Sequence, residues 1–260
     1  MQKELYVNGQ RLDFDPDKPL SPGGKGEAYI YIIASGICSG KALKVFKEKA
    51  DYLDTKDGDA AIERITEHQE KLPDLRAQNL PGLVILPEEF AVDKNGTTIL
   101  GYTMTFVNGA KTLNNYASQK FIEKRNITRE TVVAVFRDLY YTVSGIHDKQ
   151  VVIGDFKDEN VLARGREAYI IDTDSFQFRS GRSASKPYCC KLWSADFVDP
   201  RLIGKVGGKI KLVGRHGKDS DWYAYNVMLM RCLLFEKPYV GTLRIGGSEE
   251  EQATRQNYYF

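Results

Sequence analysis

The chain has little that would tie it to a membrane, a disulfide scaffold or a nucleic acid. Its 260 residues contain no apolar stretch near the roughly 18 residues that span a bilayer, and the opening MQKELYVNGQ lacks an apolar signal core. The four cysteines show no C-x-x-C spacing and no paired-histidine pattern, so neither a zinc site nor a disulfide framework is indicated. The 37 Lys and Arg residues nearly balance the 35 Asp and Glu residues, which leaves a formal charge of +2 and no global attraction to polyanions. These absences predict a soluble protein of the reducing cytoplasm, with no membrane partner.

What the chain does contain is enough apolar sequence for a real core. Hydrophobic residues make up 42% of it, and 260 residues suffice for one large domain or two modest lobes. Asn8-Gly9 and Asn95-Gly96 are hairpin signals, and the runs AYIYIIA and KALKVF are typical of strands. One amphipathic helix is predicted in AAIERITEHQEKL, with Asp59 as its cap. This first part therefore predicts a five-stranded antiparallel sheet with one helix.

The pattern changes near Val107-Asn108-Gly109, where β-rich sequence gives way to helix through a glycine turn. Beyond it, Thr128 is placed to cap RETVVAVFRDLYYTVSGIH, whose apolar residues recur at helical spacing. A second strongly apolar helix is predicted from about Trp222 to Phe235. We therefore expect an α+β protein of two lobes, with the sheet and one helix over residues 1–107 and a mainly helical part over residues 108–260.

The most informative stretch for chemistry is VIGDFKDENVLARGREAYIIDTDSF. It places Asp155, Lys157 and Asn160 in one short loop, and Asp172 follows a predicted hairpin. Phosphoryl transfer needs a carboxylate that orients a hydroxyl, a cation near the moving phosphate, and oxygen ligands for Mg²⁺. The four side chains supply that set.

The segment IGDFKDEN resembles the H-R-D-L-K-P-E-N catalytic loop of the protein kinase family. The resemblance implies a bilobal protein-kinase-like fold, in which Asp155 accepts the proton of the substrate hydroxyl and Lys157 balances charge on the transferred phosphoryl group. It also implies that Asn160 and Asp172 bind Mg²⁺. Ile-Gly replaces His-Arg in the loop, and D-T-D replaces D-F-G, so the chain is similar to divergent, bacterial-type kinases.

The resemblance also implies an ATP site in the first lobe. SPGGKGEA is similar to the glycine-rich loop that covers the phosphates, and KALK is similar to the strand motif V-A-I-K. Lys44 is then the phosphate-contacting lysine and Glu63 its helix partner, which we prefer to Glu67 one turn later. The residues implied in ATP binding are Ser21, Gly23, Gly24, Gly26, Ala28, Ala42, Lys44, Phe106 and Val107.

Further along the chain, Asp221 matches the aspartate that holds the catalytic-loop backbone in kinases, and His147 is expected to pack structurally. Arg201 stands where the A-P-E motif has Glu, so the usual ion pair of that motif is not expected. The resemblance covers about residues 18–240, and some twenty residues follow it. The chain is therefore either an excised part of a longer protein or a kinase with a minimal second lobe.

The function that these motifs imply is transfer of the γ-phosphoryl group of ATP, with Mg²⁺, to Ser or Thr of a protein. Two alternatives remain open. Aminoglycoside- and choline-type kinases share the D-x-x-x-x-N loop, although Lys157, the long segment after Asp172 and the Asp221-Trp222 helix start favour a protein kinase. A nucleotide-binding pseudokinase scaffold is the other, but Lys44, Asp155, Asn160 and Asp172 are all present.

Three expectations concern the substrate and regulation. Residues 179–218 carry ten Lys or Arg against two Asp, so a protein substrate is expected to dock there, and an acidic one suits this charge, while aromatic residues are too sparse to favour nucleic acid. Gly154 replaces the arginine that pairs with an activation-loop phosphate in many kinases, so activity is not expected to need such a phosphate. Autophosphorylation is expected at exposed hydroxyls of Ser180, Ser183 and Ser185.

Overall fold

The computed structural model describes residues 4–20, 27–181 and 186–238, and these fall into two compact units. The first unit takes the chain up to Asn79 together with Ile85–Asn108. The second takes Leu80–Val84 and the chain from Gly109 onward. The short segment Leu80–Val84 therefore belongs with the second unit, because Val84 forms a parallel bridge with Ile170.

The first unit is built on a six-stranded sheet, one strand more than the sequence predicted. Asn8 and Gly9 both have positive φ, 49° and 77°, as a tight two-residue turn between the first two strands requires. Only the part of LVILPEEFAVD after Pro87 joins the sheet. The strands are β1 (Tyr6–Val7), β2 (Gln10–Arg11), β3 (Ala28–Ile32), β4 (Ala42–Phe46), β5 (Phe90–Val92) and β6 (Ile99–Met104), in the order β2-β1-β5-β6-β4-β3.

Helix α1 (Thr55–Arg76) accompanies this sheet and begins earlier than the sequence predicted. Asp54, rather than Asp59, is the cap, since its extended backbone lets the carboxylate accept from the amide of Lys56 at 2.6 Å. Asp59 instead lies inside the helix and pairs with Lys49 at 2.7 Å. The capping assignment to Asp59 was therefore wrong.

The described part of the second unit combines helices with three small antiparallel sheets. Thr128 caps the long helix as predicted, because its hydroxyl accepts from the amide of Thr131 at 3.2 Å. The helices are α2 (Leu113–Tyr116), α3 (Gln119–Lys124), α4 (Arg129–Asp148) and α5 (Lys218–Leu234). The strands are β7 (Lys111–Thr112), β8 (Val161–Arg164), β9 (Glu167–Ile170), β10 (Phe178–Arg179), β11 (Pro187–Tyr188), β12 (Ile203–Val206) and β13 (Lys209–Leu212), paired as β7-β8-β9, β10-β11 and β12-β13.

Helices α4 and α5 supply much of the core of the second unit. Val135, Leu139 and Val143 of α4 are fully buried, as is Met228 of α5. The hydroxyl of Tyr225 donates to the carbonyl of Phe136 at 2.8 Å, which ties the two helices together. No helix among the described residues is both long and apolar enough to cross a bilayer.

Candidate active site

The loop that carries Asp155 is anchored by a buried carboxylate on α5. Asp221 has no exposed surface, and its oxygens accept from the amide of Ile153 at 2.8 Å and from the amide of Gly154 at 3.0 Å. The ring nitrogen Nε2 of His147 donates to the same carboxylate at 2.9 Å. The two amides and the imidazole satisfy the buried charge, as burial of a carboxylate demands. The expected roles of Asp221 and His147 are therefore confirmed.

Gly154 occupies a position that no other residue fits without strain. Its φ is +83°, and a Cβ atom added there would lie 2.6 Å from Cβ and 2.7 Å from Sγ of Cys190. Both distances are well inside van der Waals contact. The glycine that replaces the arginine of the kinase motif is thus required by the local backbone and by the packing of Cys190.

The Asp155 carboxylate is buried and held from both sides. Its Oδ1 atom accepts from the hydroxyl of Ser194 at 2.8 Å, and Oδ2 lies 3.1 Å from the ammonium of Lys157. Burial alone would lower the pKa of Lys157, but the charges of Asp155, Glu159 and Asp172 outweigh it and raise that pKa. Lys157 is therefore a firmly protonated cation beside the carboxylate.

Asn160 and Asp172 lie at the open end of the hairpin formed by β8 and β9. Val161 pairs with Ile170 in that hairpin, and the amide of Ile171 donates to the carbonyl of Asn160 at 2.9 Å. The side-chain nitrogen of Asn160 donates to the carbonyl of Asp155 at 3.0 Å. Asp172 follows Ile171 with a left-handed backbone, φ 65° and ψ 36°. Its charge acts on Lys157, which lies beside Asp155, so the four predicted residues belong to one site.

The predicted nucleotide residues of the first unit are only partly within the described chain. Lys44 lies on β4 opposite Ile30 and Tyr102 and is 7% exposed. Ala42 and Val107 are buried, Ala28 is half-buried at the start of β3, and Phe106 is exposed. The expectation of a phosphate-covering loop at Ser21, Gly23, Gly24 and Gly26 lies outside the described residues.

The predicted partner of Lys44 does not pair with it. Glu63 is exposed on α1 and forms no ion pair among the described residues, because the helix turns Ala61, His68 and Leu72 inward instead. The residue next to Glu63, Arg64, is largely buried and pairs with Glu27 at 2.6 Å. The expected Lys44–Glu63 ion pair is thus absent from the described structure.

Several residues that matter to the site were not found from the sequence. Ser194 lies 39 positions from Asp155 and carries no motif. Asp199 binds Arg201, whose Nη2 lies 2.6 Å from Oδ2, so the position that has Glu in kinases makes an ion pair of a different kind.

The expected autophosphorylation sites are only partly within the described chain. Ser180, expected to be exposed, is buried, while Ser183 and Ser185 lie outside the described residues.

Comparison with known proteins gives a limited result. No protein-family model matches this chain. The chain is similar to the serine/threonine-protein kinase PSK2 of Saccharomyces cerevisiae, with 27% identity over 135 residues. The match covers 48% of this chain and 11% of the yeast protein. This partial similarity suggests a relationship to kinases, and the mixed α and β structure with antiparallel sheets is compatible with a kinase-like fold.

Proposed function

We propose that the chain is an ATP- and Mg²⁺-dependent protein kinase that phosphorylates Ser or Thr of a protein substrate. The arrangement around Asp155 carries the proposal. One buried carboxylate has both oxygens fixed, Oδ1 by Ser194 at 2.8 Å and Oδ2 by Lys157 at 3.1 Å. A carboxylate oriented in this way suits a group that receives a proton from an attacking hydroxyl.

In the proposed reaction, the acceptor oxygen forms a bond to the γ-phosphorus while the bond from that phosphorus to the β–γ bridging oxygen breaks. The hydroxyl proton passes to Asp155, and ADP leaves. In this proposal the Lys157 ammonium beside Asp155 offsets negative charge on the transferred group. Its raised pKa keeps this positive charge in place at neutral pH.

The donor set also fits Mg²⁺. The side-chain nitrogen of Asn160 is engaged by the carbonyl of Asp155, so its amide oxygen is the atom left to bind a metal. Asp172 adds a carboxylate at the same end of the hairpin. Mg²⁺ is commonly held by one or two protein oxygens together with nucleotide phosphates, whose charge it neutralises. Among the described residues no cluster of three or more His, Cys, Asp or Glu side chains forms a metal cage, and this proposal needs none.

The test compares the wild type with Asp155→Asn and with a matched control, Asp148→Asn. Asp148 is exposed at the end of α4 and forms no ion pair with a described residue, so its substitution removes the same charge without breaking a contact of the site. We expect Asp155→Asn to reduce turnover on a protein substrate by about 10²- to 10⁴-fold, with little change in ATP affinity. Asp148→Asn is expected to behave as the wild type.

Three outcomes would contradict the proposal. Unchanged turnover in Asp155→Asn would remove Asp155 from the chemistry. Binding of ATP and Mg²⁺, seen as a rise in melting temperature, without transfer to any acceptor would indicate a pseudokinase. Transfer to aminoglycosides or choline but not to proteins would indicate a small-molecule kinase.

A further inference from the structure

Two clefts of the second unit adjoin each other beside Asp155. The first is lined by Asp155, Ser194 and Trp193. The second is an open cleft of about 410 Å³ near the start of α5. Asp199 and Ser220 line both, so the second cleft is the immediate neighbour of the one that contains the Asp155 carboxylate.

The second cleft carries an excess of positive charge. Three cations line it from separate segments, Arg201 before β12, Arg215 after β13, and Lys218 at the first turn of α5. Its two acidic residues are Asp199 and Asp219.

One of the two carboxylates in this cleft is already held in an ion pair. The Asp199 carboxylate accepts from Nε of Arg201 at 3.0 Å and from Nη2 at 2.6 Å. Asp219 is exposed and interacts electrostatically with the same arginine. Arg215 and Lys218, in contrast, form no ion pair with any described residue. Two cations of the cleft are thus available to an anion from outside.

The residues around the cleft strengthen its preference for an anionic ligand. The hairpin of β12 and β13 that precedes the cleft exposes Lys205, Lys209 and Lys211, which adds attraction for anionic chains at longer range. Among the described residues that line the cleft there is no aromatic ring on which a base could stack, so nucleic acid is a poorer fit than an acidic peptide.

We propose that this cleft binds an acidic side chain of the substrate, a carboxylate or a phosphorylated residue, close in sequence to the hydroxyl that Asp155 activates. The inference rests on the proposed kinase function and specifies its substrate class. Arg215 and Lys218 are the residues that select the acid, while Arg201 is held by Asp199 and completes the cleft wall.

The experiment uses the full chain and a panel of Ser-containing peptides. Each peptide carries one Glu, one phosphoserine or one Gln at a position within four residues of the acceptor. Arg215→Ala/Lys218→Ala is compared with Lys120→Ala/Lys124→Ala, which removes two exposed cations of α3 outside the cleft. Lys209→Ala/Lys211→Ala removes two cations of the hairpin and measures the general attraction.

We expect Glu or phosphoserine at one or two positions to lower KM relative to Gln. In Arg215→Ala/Lys218→Ala, KM for those peptides should rise by about 2- to 30-fold, with kcat and the KM of the Gln peptides unchanged. The α3 control should keep the preference. The Glu and phosphoserine arms show whether a carboxylate or a phosphoryl group is the better ligand.

Equal KM values for acidic and Gln peptides would overturn the inference. An equal rise in KM in the hairpin variant would also overturn it, because it would indicate general attraction.

If no peptide is phosphorylated, the kinase proposal fails, and binding of fluorescein-labelled peptides decides the inference separately. Tighter binding of the acidic peptide to the wild type than to Arg215→Ala/Lys218→Ala would then support it, and equal binding would overturn it.

Discussion

A Cβ atom placed on Gly154 would lie 2.6 Å from the Cβ atom of Cys190. Gly154 directly precedes Asp155, and the Cys190 side chain packs so closely against it that position 154 has no room for a side chain. The same glycine has φ +83° and gives its amide to Asp221. The backbone that presents Asp155 is therefore fixed by a buried hydrogen bond on one side and by close packing on the other.

Gly154→Ala is expected to lower the free energy of unfolding by roughly 2 to 4 kcal/mol, since it combines a left-handed backbone with overpacking. The measurement is urea unfolding of the wild type, Gly154→Ala, Cys190→Gly and the double variant. Because Cys190→Gly removes both atoms that clash, the double variant should be more stable than the sum of the single effects predicts, by about 1 kcal/mol or more. Strict additivity would mean that the two residues do not clash.

The absence of an arginine at this position bears on regulation. A phosphate in the segment after Asp172 has no arginine to pair with at residue 154, so we expect Ser183→Ala/Ser185→Ala to keep the activity of the wild type within about twofold. Ser180 is left unchanged because it is buried. Phosphotransfer by phosphatase-treated protein is the second measurement. Loss of activity in either experiment would contradict the expectation.

Asp221→Asn is expected to destabilise the protein although the two side chains have the same shape. An amide has one oxygen in place of two and adds two N–H donors, which would face the amides of Ile153 and Gly154 and the ring of His147. A buried donor left facing another donor costs about 1 to 3 kcal/mol. Asp219→Asn, an exposed change two residues earlier in α5, is the control for urea unfolding. Equal stability of the two variants would mean that Asp221 does not hold the loop.

Ser194→Ala tests whether the hydrogen bond to Asp155 positions the carboxylate. A hydrogen bond to a charged group contributes about 1.5 to 3 kcal/mol, so kcat is expected to fall by about 10- to 160-fold. Ser194→Thr keeps the hydroxyl and should retain most of the activity. ATP affinity should be unchanged in both variants. A fall in kcat of the same size in Ser194→Thr would indicate that the residue packs rather than donates.

Local signals in the sequence predicted those parts of the structure that local chemistry decides. Asn8-Gly9 forms its turn because both residues tolerate positive φ. Thr128 caps α4 because a hydroxyl at that position satisfies an amide that has no partner in the helix. The hairpin between Asn160 and Asp172 follows from strand residues on either side of Gly165, which has φ 62°. These features need no knowledge of the rest of the chain.

Features that depend on packing could not be predicted in this way. The first turn of α1 is polar and shows no helical repeat of apolar residues, so the sequence does not distinguish Asp54 from Asp59 as the cap. Gly58 of this turn packs closely against Lys49, a contact that only the folded chain reveals. The rotation of α1 about its axis, which exposes Glu63, is likewise set by the sheet beneath. Ser194 reaches Asp155 only through the fold, since a single serine at a separation of 39 residues carries no signal.

Cys232 gives a prediction for stability at alkaline pH. Burial raises the pKa of its thiol from 9.0 to about 12, and the sulfur donates to the carbonyl of Leu113. Below pH 9.0 the thiol is protonated in both the folded and the unfolded chain, so its contribution is fully present. Between pH 9.0 and about 12 only the unfolded chain loses the proton, so stability falls by at most about 1.4 kcal/mol per pH unit.

Because lysines and tyrosines also titrate in this range, the measured quantity is the difference between the wild type and Cys232→Ala. The variant is less stable at pH 8, since it leaves a cavity in the contact between α5 and α2, but this deficit should shrink as the pH rises from 9.0 to about 12. Urea unfolding at intervals across the range gives both curves. A deficit that stays constant would show that the thiol ionises equally in the two states.

The native thiol of Cys232 should also resist alkylation at pH 8, where the half-buried Cys38 and Cys189 react first.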